Sequence, residues 1–565
     1  MDLSSCGIRI VNTERLEPEL SRGLADADEG AVVRRVWARD GTLWKAEDGD
    51  ISGRLGWLDA PEAARGLVPD LEAFAAEVRG EGLTRAVVLG MGGSSLAPEV
   101  FARSFGTPPG ALELEVLDTT EPGTVAAAGA RLDPRKTLFL ASSKSGTTAE
   151  LVALLAFFYD LVRRELGGER AGRRFAAVTD PGTPLEALAA SLGFRRVFHG
   201  RPDIGGRFSA LSAFGLVPAA LKGIDLGRLL DAAGTAAGAC RVERASGNPG
   251  ALLGTALGAA AAKGLDKLTL IASPRLRPLA GWIEQLVAES TGKEGRGIVP
   301  VVESGPSDPA GCGPDRLFVD LTAPAGEEPD ARVRALVERG APVVRMTLKD
   351  PYALAAHFFL WEFATAVAGR LLGINPFDQP DVESAKKRTR ELLAAAADGP
   401  PAGGDRPAAA GLRVVGPDPA ESPGGALARF LAGRRDGDYL AILAFLPGTE
   451  GVGERVSRLA DRLRRGTGLP VTVGVGPRYL HSTGQLHKGD GNRGLFLMLA
   501  PAVLPEVAIP AVAGIPRPAA DFGSLFRAQA RGDALALAEK GRRVLTLEIS
   551  GPIEAGLEEL ASLLR

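Results

Sequence analysis

Short apolar runs alternate with longer helix-length segments from about residue 72 onward. The runs have the length of buried strands, and the first four lie at 86–90, 112–117, 137–141 and 175–179. Polar turns follow them, and the segment Ala149–Leu166 is the longest of the intervening apolar helices. Buried strands that alternate with helices are typical of a parallel sheet covered on both faces.

The same alternation continues through the rest of the chain. Further strands are predicted at 268–271, 317–321, 342–346, 439–445, 471–475 and 544–549. Helices are predicted between them at 251–263, 279–290, 352–372, 382–397, 453–465 and 532–541. The pattern therefore predicts an α/β fold with tandem doubly wound parallel sheets.

Composition divides the chain further. Residues 1–70 hold three of the five Trp and are predicted to form a helical N-terminal arm. The two tandem α/β domains are assigned to 71–235 and 236–397. The Gly/Pro/Ala-rich segment 398–411 has the composition of a flexible linker, and 412–565 is predicted to be a C-terminal α/β block.

Charge and cysteine content exclude several classes of protein. The 66 basic and 69 acidic residues nearly cancel, which argues against nucleic-acid binding and membrane-surface binding. The three cysteines, Cys6, Cys240 and Cys312, are too far apart for a disulfide framework or a zinc site. No signal peptide and no apolar run of membrane-spanning length is recognisable, so a cytoplasmic location is expected.

Two Ser-rich turns follow predicted strands. Residues 89–96 read LGMGGSSL, a glycine turn that opens a helix and directs N–H groups at a ligand. Residues 141–150 read ASSKSGTTAE and crowd five hydroxyls and Lys144 before a long helix. A helix N-cap needs only one hydroxyl, so the second turn favours a phosphate-binding loop. A plain tight turn remains an alternative for the first.

Three other motifs are weaker when each is taken alone. Residues 205–209 (GGRFS) place Arg207 after two glycines, and 289–293 (ESTGK) end a helix, which a glycine C-cap also explains. Residues 377–383 (FDQPDVE) begin a helix with a basic face, which an ordinary capped helix also explains. Lys occurs only 12 times in the chain, so a Lys inside such motifs carries added weight.

The segment 481–489 (HSTGQLHKG) contains two of the four His. Their spacing of six does not suit two metal ligands on one helix face, and no carboxylate or Cys pattern lies beside them. Acid–base chemistry is the better interpretation of these histidines.

Together these motifs, which span about residues 80–490, resemble those of the phosphoglucose isomerase family, which is built from two sugar-isomerase domains. The histidine segment departs from the family order, because it follows the FDQ helix by about 100 residues across the linker. This order resembles the isomerase half of fused transaldolase–phosphoglucose isomerase proteins. The chain is too short to hold a transaldolase barrel as well, so a separate transaldolase is a candidate partner.

The resemblance implies roles for individual residues in the conversion of glucose 6-phosphate to fructose 6-phosphate. Glu289 would move the proton between C2 and C1, and Arg207 would stabilise the enediolate. His481 and Lys386 would open the sugar ring, with His487 as the fallback. The phosphate would be bound by Ser143, Lys144, Ser145, Thr147 and Thr148. The sugar would be bound by Gly93, Ser94 and Gln379.

Neither a metal nor another cofactor is expected for this reaction. Alternatives are a non-catalytic sugar-phosphate regulator and an isomerase that also accepts mannose 6-phosphate. The isomerase half of an amidotransferase would need a Cys at position 2, where Asp2 stands, and Ser95 disfavours a dinucleotide oxidoreductase. A small sugar phosphate is the expected partner, and a homodimer is a candidate assembly.

Overall fold

The computed structural model describes residues 2–3, 7–303, 312–323, 330–397, 411–416 and 421–564. Nearly all of the predicted linker at 398–411 lies outside the described residues. Within them the strands are β1 (Asp2–Leu3), β2 (Ile8–Val11), β3 (Arg85–Leu89), β4 (Glu113–Leu117), β5 (Thr137–Ser142), β6 (Phe175–Thr179), β7 (Arg196–His199), β8 (Lys267–Ala272), β9 (Val299–Val302), β10 (Arg316–Thr322), β11 (Val343–Thr347), β12 (Gly411–Val415), β13 (Tyr439–Ala444), β14 (Val471–Val475), β15 (Gly494–Pro501) and β16 (Arg543–Ser550).

Helices connect and cover these strands. They are α1 (Glu19–Glu29), α2 (Val32–Trp37), α3 (Ala60–Ala63), α4 (Val68–Gly80), α5 (Leu96–Ser104), α6 (Pro122–Arg131), α7 (Ala149–Leu166), α8 (Gly168–Ala171), α9 (Pro184–Ser191), α10 (Ala213–Leu221), α11 (Leu226–Ala239), α12 (Pro249–Ala262), α13 (Arg277–Thr291), α14 (Ala331–Glu338), α15 (Ala353–Leu372), α16 (Val382–Ala397), α17 (Pro423–Ala432), α18 (Glu450–Thr467), α19 (Gly484–Gly489), α20 (Phe522–Glu539) and α21 (Ile553–Ser562). None of the helices in the described ranges is long and apolar enough to span a membrane.

The first sheet has the strand order β4-β3-β5-β6-β7, and every pair in it is parallel. Strands β5 and β6 are buried along their whole length because helices cover both faces of the sheet. The chain leaves β3 toward β4 and then returns to the other side of β3 with β5. The carboxyl ends of β3 and β5 therefore form a topological switch point, where ligands bind in open α/β sheets.

The second sheet has the order β1-β2-β11-β10-β8-β9. Strands β8 to β11 are parallel, whereas β2 from the N-terminal arm pairs antiparallel with β11. The prediction of a purely helical arm is therefore incomplete. Ile8 and Ile10 are buried while Arg9 between them is exposed, an alternation that lets the segment extend a sheet edge.

The rest of the arm packs on the tandem domains through its Trp residues. The indole nitrogen of Trp44 donates to the carbonyl of Ala366 at 2.8 Å, and the Trp57 ring packs against Phe208, Phe359 and Phe363. Trp57 is fully buried. These contacts anchor the arm on the tandem domains.

The C-terminal block forms a third sheet with the order β12-β16-β15-β13-β14. Strands β13 to β16 are parallel and β12 is antiparallel at the edge. The sequence pattern predicts β13, β14 and β16 but does not identify β12 or the central strand β15. Helix α20 of this block packs along α16 of the second domain and joins the two across the linker.

A buried ion pair stabilises this third domain, and its removal is a direct test of the packing. Lys488 Nζ lies 2.5 Å from Asp533 Oδ1, and both side chains are buried. Lys488→Met leaves Asp533 without its counter-charge and is expected to lower the free energy of unfolding by about 3–5 kcal/mol. Urea denaturation followed by hydrogen exchange of α20 measures the loss.

The control for this change is Lys387→Met, whose side chain is 72% exposed. We expect it to change the free energy of unfolding by no more than about 0.5 kcal/mol. Equal losses in the two variants would contradict the buried pair as a source of stability.

Candidate active site

The glycine turn after β3 lets two distant segments approach its backbone. Gly92 has φ +56°, and a Cβ added to it would lie 2.9 Å from the carbonyl oxygen of His481. A Cβ added to Gly93 would lie 2.0 Å from the carbonyl oxygen of Gly206. Ser94, the next residue of the turn, is buried. The turn therefore packs against both the GGRFS motif and the histidine segment.

The guanidinium of Arg207 is buried and bound on all sides. Its Nε donates to Ser290 Oγ at 2.7 Å, and its Nη1 donates to Gln379 Oε1 at 2.8 Å. Its Nη2 donates to the carbonyls of Pro376 at 2.6 Å and Asp378 at 2.9 Å. One side chain thus joins the GGRFS, ESTGK and FDQ motifs.

Glu289 lies on the last turn of α13 beside this cation. Its Oε1 is 3.6 Å from Arg207 Nη1, and its Oε2 accepts from Gln285 Nε2 at 3.3 Å. Burial lowers the pKa of Arg207, while the charge of Glu289 opposes that shift. The carboxylate therefore has a fixed cation on one side and an amide donor on the other.

Lys293, two residues after the end of α13, also contacts the FDQ motif. Its Nζ donates to the Asp378 carbonyl at 2.5 Å and to Asp378 Oδ1 at 2.7 Å. Burial lowers the pKa of Lys293 to about 8, and the charge of Arg207 acts in the same direction. Arg207 and Lys293 thus share one carbonyl acceptor and hold the FDQ loop in place.

The Ser/Thr loop lies between β5 and α7, at the switch point of the first sheet. Ser143 Oγ is 3.0 Å from Thr148 Oγ1 and accepts from the Gly146 amide at 3.1 Å. Ser145 Oγ and Thr147 Oγ1 are 3.1 Å apart, and both residues are exposed. The loop therefore presents hydroxyls to solvent at the point where a ligand is expected, and their binding of phosphate stays a prediction.

Lys144 of this loop already has a partner. Its Nζ is 2.5 Å from Asp180 Oδ2 and donates to the Arg201 carbonyl at 2.8 Å. Burial lowers the pKa of Lys144, and Asp180 opposes the shift. The ammonium is thus held toward Asp180, and its predicted contact with a phosphate remains untested.

His481 reaches the site from the third domain. Its Nε2 is 2.9 Å from Glu150 Oε1 on the first turn of α7, and its carbonyl accepts from Gln285 Nε2 at 2.7 Å. Burial alone would raise the pKa of Glu150, but the charge and the hydrogen bond of His481 outweigh it and lower that pKa. Because Gln285 also contacts Glu289, its amide joins the backbone of His481 to the carboxylate of Glu289.

His487 lies in the core of the third domain instead. Its ring centroid is 5.8 Å from that of Tyr479 and 5.0 Å from that of Phe496, and the residue is 2% exposed. Burial lowers the pKa of His487 well below its usual range. Of the two histidines in the motif, the structure brings only His481 to the site.

Lys386 lies on the exposed side of α16, where its Nζ donates to Glu383 at 2.8 Å. Its positive charge is near enough to contribute to the lowered pKa of Glu150. Lys386 therefore lies within electrostatic range of Glu150, and among the described hydrogen bonds and ion pairs it does not contact Glu289.

Polar contacts hold the histidine segment on the first two domains. Arg478, three residues before His481, has its Nε 2.9 Å from Asp118 Oδ2 and also contacts Glu99. Gln485, four residues after it, donates to the Gly292 carbonyl at 2.9 Å. The displacement of this segment along the chain thus does not prevent it from reaching the site.

Three residues of the site were not predicted from the sequence. Glu150 closes the ASSKSGTTAE motif, and Gln285 lies one helical turn before Glu289, so both could have been found from position. Gln529 contacts Glu150 from α20 and belongs to no recognised motif.

Comparison with known proteins identifies related isomerases. The model of the family "Phosphoglucose isomerase" matches residues 74–296. A glucose-6-phosphate isomerase of Symbiobacterium thermophilum is 32% identical over 395 residues, which cover 61% of this chain and 88% of the relative. A glucose-6-phosphate isomerase of Thermus thermophilus is 33% identical, with 62% and 92% covered.

Two solved structures have a similar fold. A hypothetical protein from Thermus thermophilus superimposes with a TM-score of 0.59 at 30% identity, covering 68% of this chain and all of that one. A glucose-6-phosphate isomerase from Chlamydia trachomatis superimposes with a TM-score of 0.51 at 18% identity, covering 69% and 86%. The second likeness concerns the fold alone.

The close approach at the glycine turn can be tested by adding one methyl group. Gly93→Ala places a Cβ against the Gly206 backbone and is expected to cost about 1–3 kcal/mol of unfolding free energy. The control is Gly281→Ala in α13, which has open space at its Cβ and is expected to be neutral or stabilising. Thermal unfolding measures both; an unchanged midpoint for Gly93→Ala would contradict the contact.

Proposed function

Because this chain belongs to the phosphoglucose isomerase family, we propose that it interconverts glucose 6-phosphate and fructose 6-phosphate. The observation that carries the proposal is the convergence of Glu289 and the His481 segment on the Gln285 amide, beside the buried Arg207. Aldose–ketose isomerisation needs a base, a fixed cation and an acid–base group for ring opening, and this arrangement supplies all three.

Glu289 acts as the base of the proposed reaction. It takes the proton from C2 of the open-chain aldose and returns it to C1, by way of a cis-enediol(ate). A carboxylate held by Gln285 and Arg207 has little freedom to move between these steps. Its position at the end of a buried helix also limits access of water to the transferred proton.

Arg207 stabilises the negative charge that develops on the enediolate oxygens. Its donors are fixed by neighbouring oxygens before substrate binds, so no reorganisation is needed during proton transfer. Lys293, which contacts Asp378 of the FDQ loop, adds a second positive charge. Gln379 and Ser94 are proposed to contact the sugar hydroxyls.

His481 and Lys386 open the cyclic sugar. The carboxylate of Glu150 accepts a hydrogen bond from the Nε2–H of His481, so that Nδ1 is the nitrogen that exchanges a proton with the substrate. The exposed Lys386 supplies the second acid–base group for ring opening. The substrate phosphate is bound by the Ser/Thr loop at the N-terminus of α7.

A cytoplasmic location and a sugar phosphate as the small-molecule partner fit this activity. The three Cys are too far apart in the sequence for a disulfide framework, which is consistent with a reducing compartment. A homodimer and a separate transaldolase remain expectations from the resemblance.

Replacement of the proposed base tests this function directly. Glu289→Gln keeps the shape and the hydrogen-bonding capacity of the side chain but removes the proton acceptor, so kcat is expected to fall by about 100-fold or more while sugar-phosphate binding is retained. A coupled assay on fructose 6-phosphate and calorimetric titration measure the two. The control Glu294→Gln changes an exposed carboxylate nearby and should leave kcat unchanged; near wild-type turnover of Glu289→Gln would exclude Glu289 as the base.

An acyclic substrate, which needs no ring opening, distinguishes the roles of the two histidines. His481→Phe is expected to lower kcat/KM on glucose 6-phosphate by about 100-fold. On a tetrose 4-phosphate, which cannot close a ring, the same variant should keep most of its activity. His487→Phe conserves an aromatic side chain in the core and should leave both activities unchanged. The opposite result for the two variants would reverse the assignment.

A further inference from the structure

A chain of hydrogen bonds links His481 through Glu150 of the first domain to Gln529 on α20 of the third domain, and on to Thr120. Gln529 on that helix is 3% exposed, and its Nε2 donates to Glu150 Oε1 at 2.6 Å. The hydroxyl of Thr120, in the loop after β4, lies 2.6 Å from Gln529 Oε1 and donates to it. His481 Nε2 contacts the same Glu150 oxygen at 2.9 Å.

The ionised carboxylate of Glu150 fixes the direction of the bonds in this chain. Because a carboxylate has no donor, Gln529 turns its Nε2 toward Glu150 and its Oε1 toward Thr120, whose hydroxyl donates to it. An ionised carboxylate only accepts hydrogen bonds, so His481 must carry its proton on Nε2. The lone pair of the neutral imidazole then lies on Nδ1.

We propose that Gln529 is a positioning residue for ring opening: it locks the Glu150 carboxylate so that His481 keeps its proton on Nε2 and works through Nδ1. Gln529 acts through Glu150 and does not touch the substrate. The kinetic part of this inference rests on the proposed isomerase function, whereas the choice of tautomer does not.

The amide is suited to this task where other side chains are not. A second carboxylate 2.6 Å from Glu150 would repel it or take up a proton, and an apolar side chain would leave the buried oxygen with one donor fewer. Outer-shell hydrogen-bond partners of metal-bound histidines change activity by about 10–100-fold when they are removed, and we expect an effect of the same order here.

The tautomer of His481 is the direct test, because the chain has only four His and their ring nitrogens can be separated by NMR. We expect the full-length protein labelled with ¹⁵N-histidine to show the Nε2–H form of His481, assigned by loss of its signals in His481→Phe. Gln529→Met removes a donor from the buried Glu150 carboxylate and so favours its protonated form, which can donate to His481 Nε2; a mixture of the two tautomers is expected. Thr120→Val should give a smaller change in the same direction, because it removes only the hydroxyl that orients the Gln529 amide. An unchanged Nε2–H signal in both variants would overturn the proposal.

Steady-state kinetics on two substrates distinguish a positioning role of Gln529 from a merely structural one. Gln529→Met should lower kcat on glucose 6-phosphate by about 10–100-fold with KM within about twofold, and should spare the tetrose 4-phosphate. Arg527→Met, an exposed change on the same helix, is the control and should leave kcat unchanged. Equal losses on both substrates would overturn the ring-opening role.

A carboxyl at position 529 gives a second, pH-dependent readout. In Gln529→Glu the new group can donate to Glu150 only when it is protonated, so activity relative to the wild type should rise as pH falls. The ratio for Gln529→Met should stay flat, and the same flat ratio for Gln529→Glu would contradict the proposal. A wild-type protein without isomerase activity would overturn the proposed function, and the NMR test would still decide the role of Gln529.

Discussion

The hydrogen bond between Glu150 and His481 joins the first domain to the third, and the site depends on it. Glu150 lies in the first turn of the helix that follows the Ser/Thr loop, whereas His481 follows strand β14 of a separate sheet. Burial would favour a neutral carboxyl, yet the histidine lowers the pKa of Glu150. The same interaction therefore joins the two domains and favours the ionised form of Glu150.

Steric limits determine which residues can stand around this bond. The backbone of Gly92 adjoins His481, and that of Gly93 adjoins Gly206, so side chains at these two positions would push the segments apart. Arg207 then ties the FDQ loop to the end of α13 with donors that are already satisfied. Proton transfer in such a site is favoured by groups that are oriented before the substrate arrives.

Much of this arrangement is local in sequence and could be predicted. Hydrophobic periodicity finds the central strands of the tandem sheets, and the motifs GGRFS, ESTGK and HSTGQLHKG contain Arg207, Glu289 and His481. Periodicity misses the strand Ile8–Val11, whose pairing with β11 depends on a partner more than 300 residues away. It also cannot distinguish His481 from His487, because only tertiary packing places His487 among aromatic rings. Gln529 contacts Glu150 across 379 residues without any motif.

In the proposed reaction, a single chain builds an isomerase site in which a carboxylate transfers a proton between C1 and C2. The most direct measurement is conversion of fructose 6-phosphate by the full-length protein in D₂O, with the product followed by NMR. Transfer through the Glu289 carboxylate exchanges part of its proton with solvent, so deuterium is expected at C2 of the glucose 6-phosphate formed. Conversion without any deuterium at C2, or no conversion at all, would contradict this account.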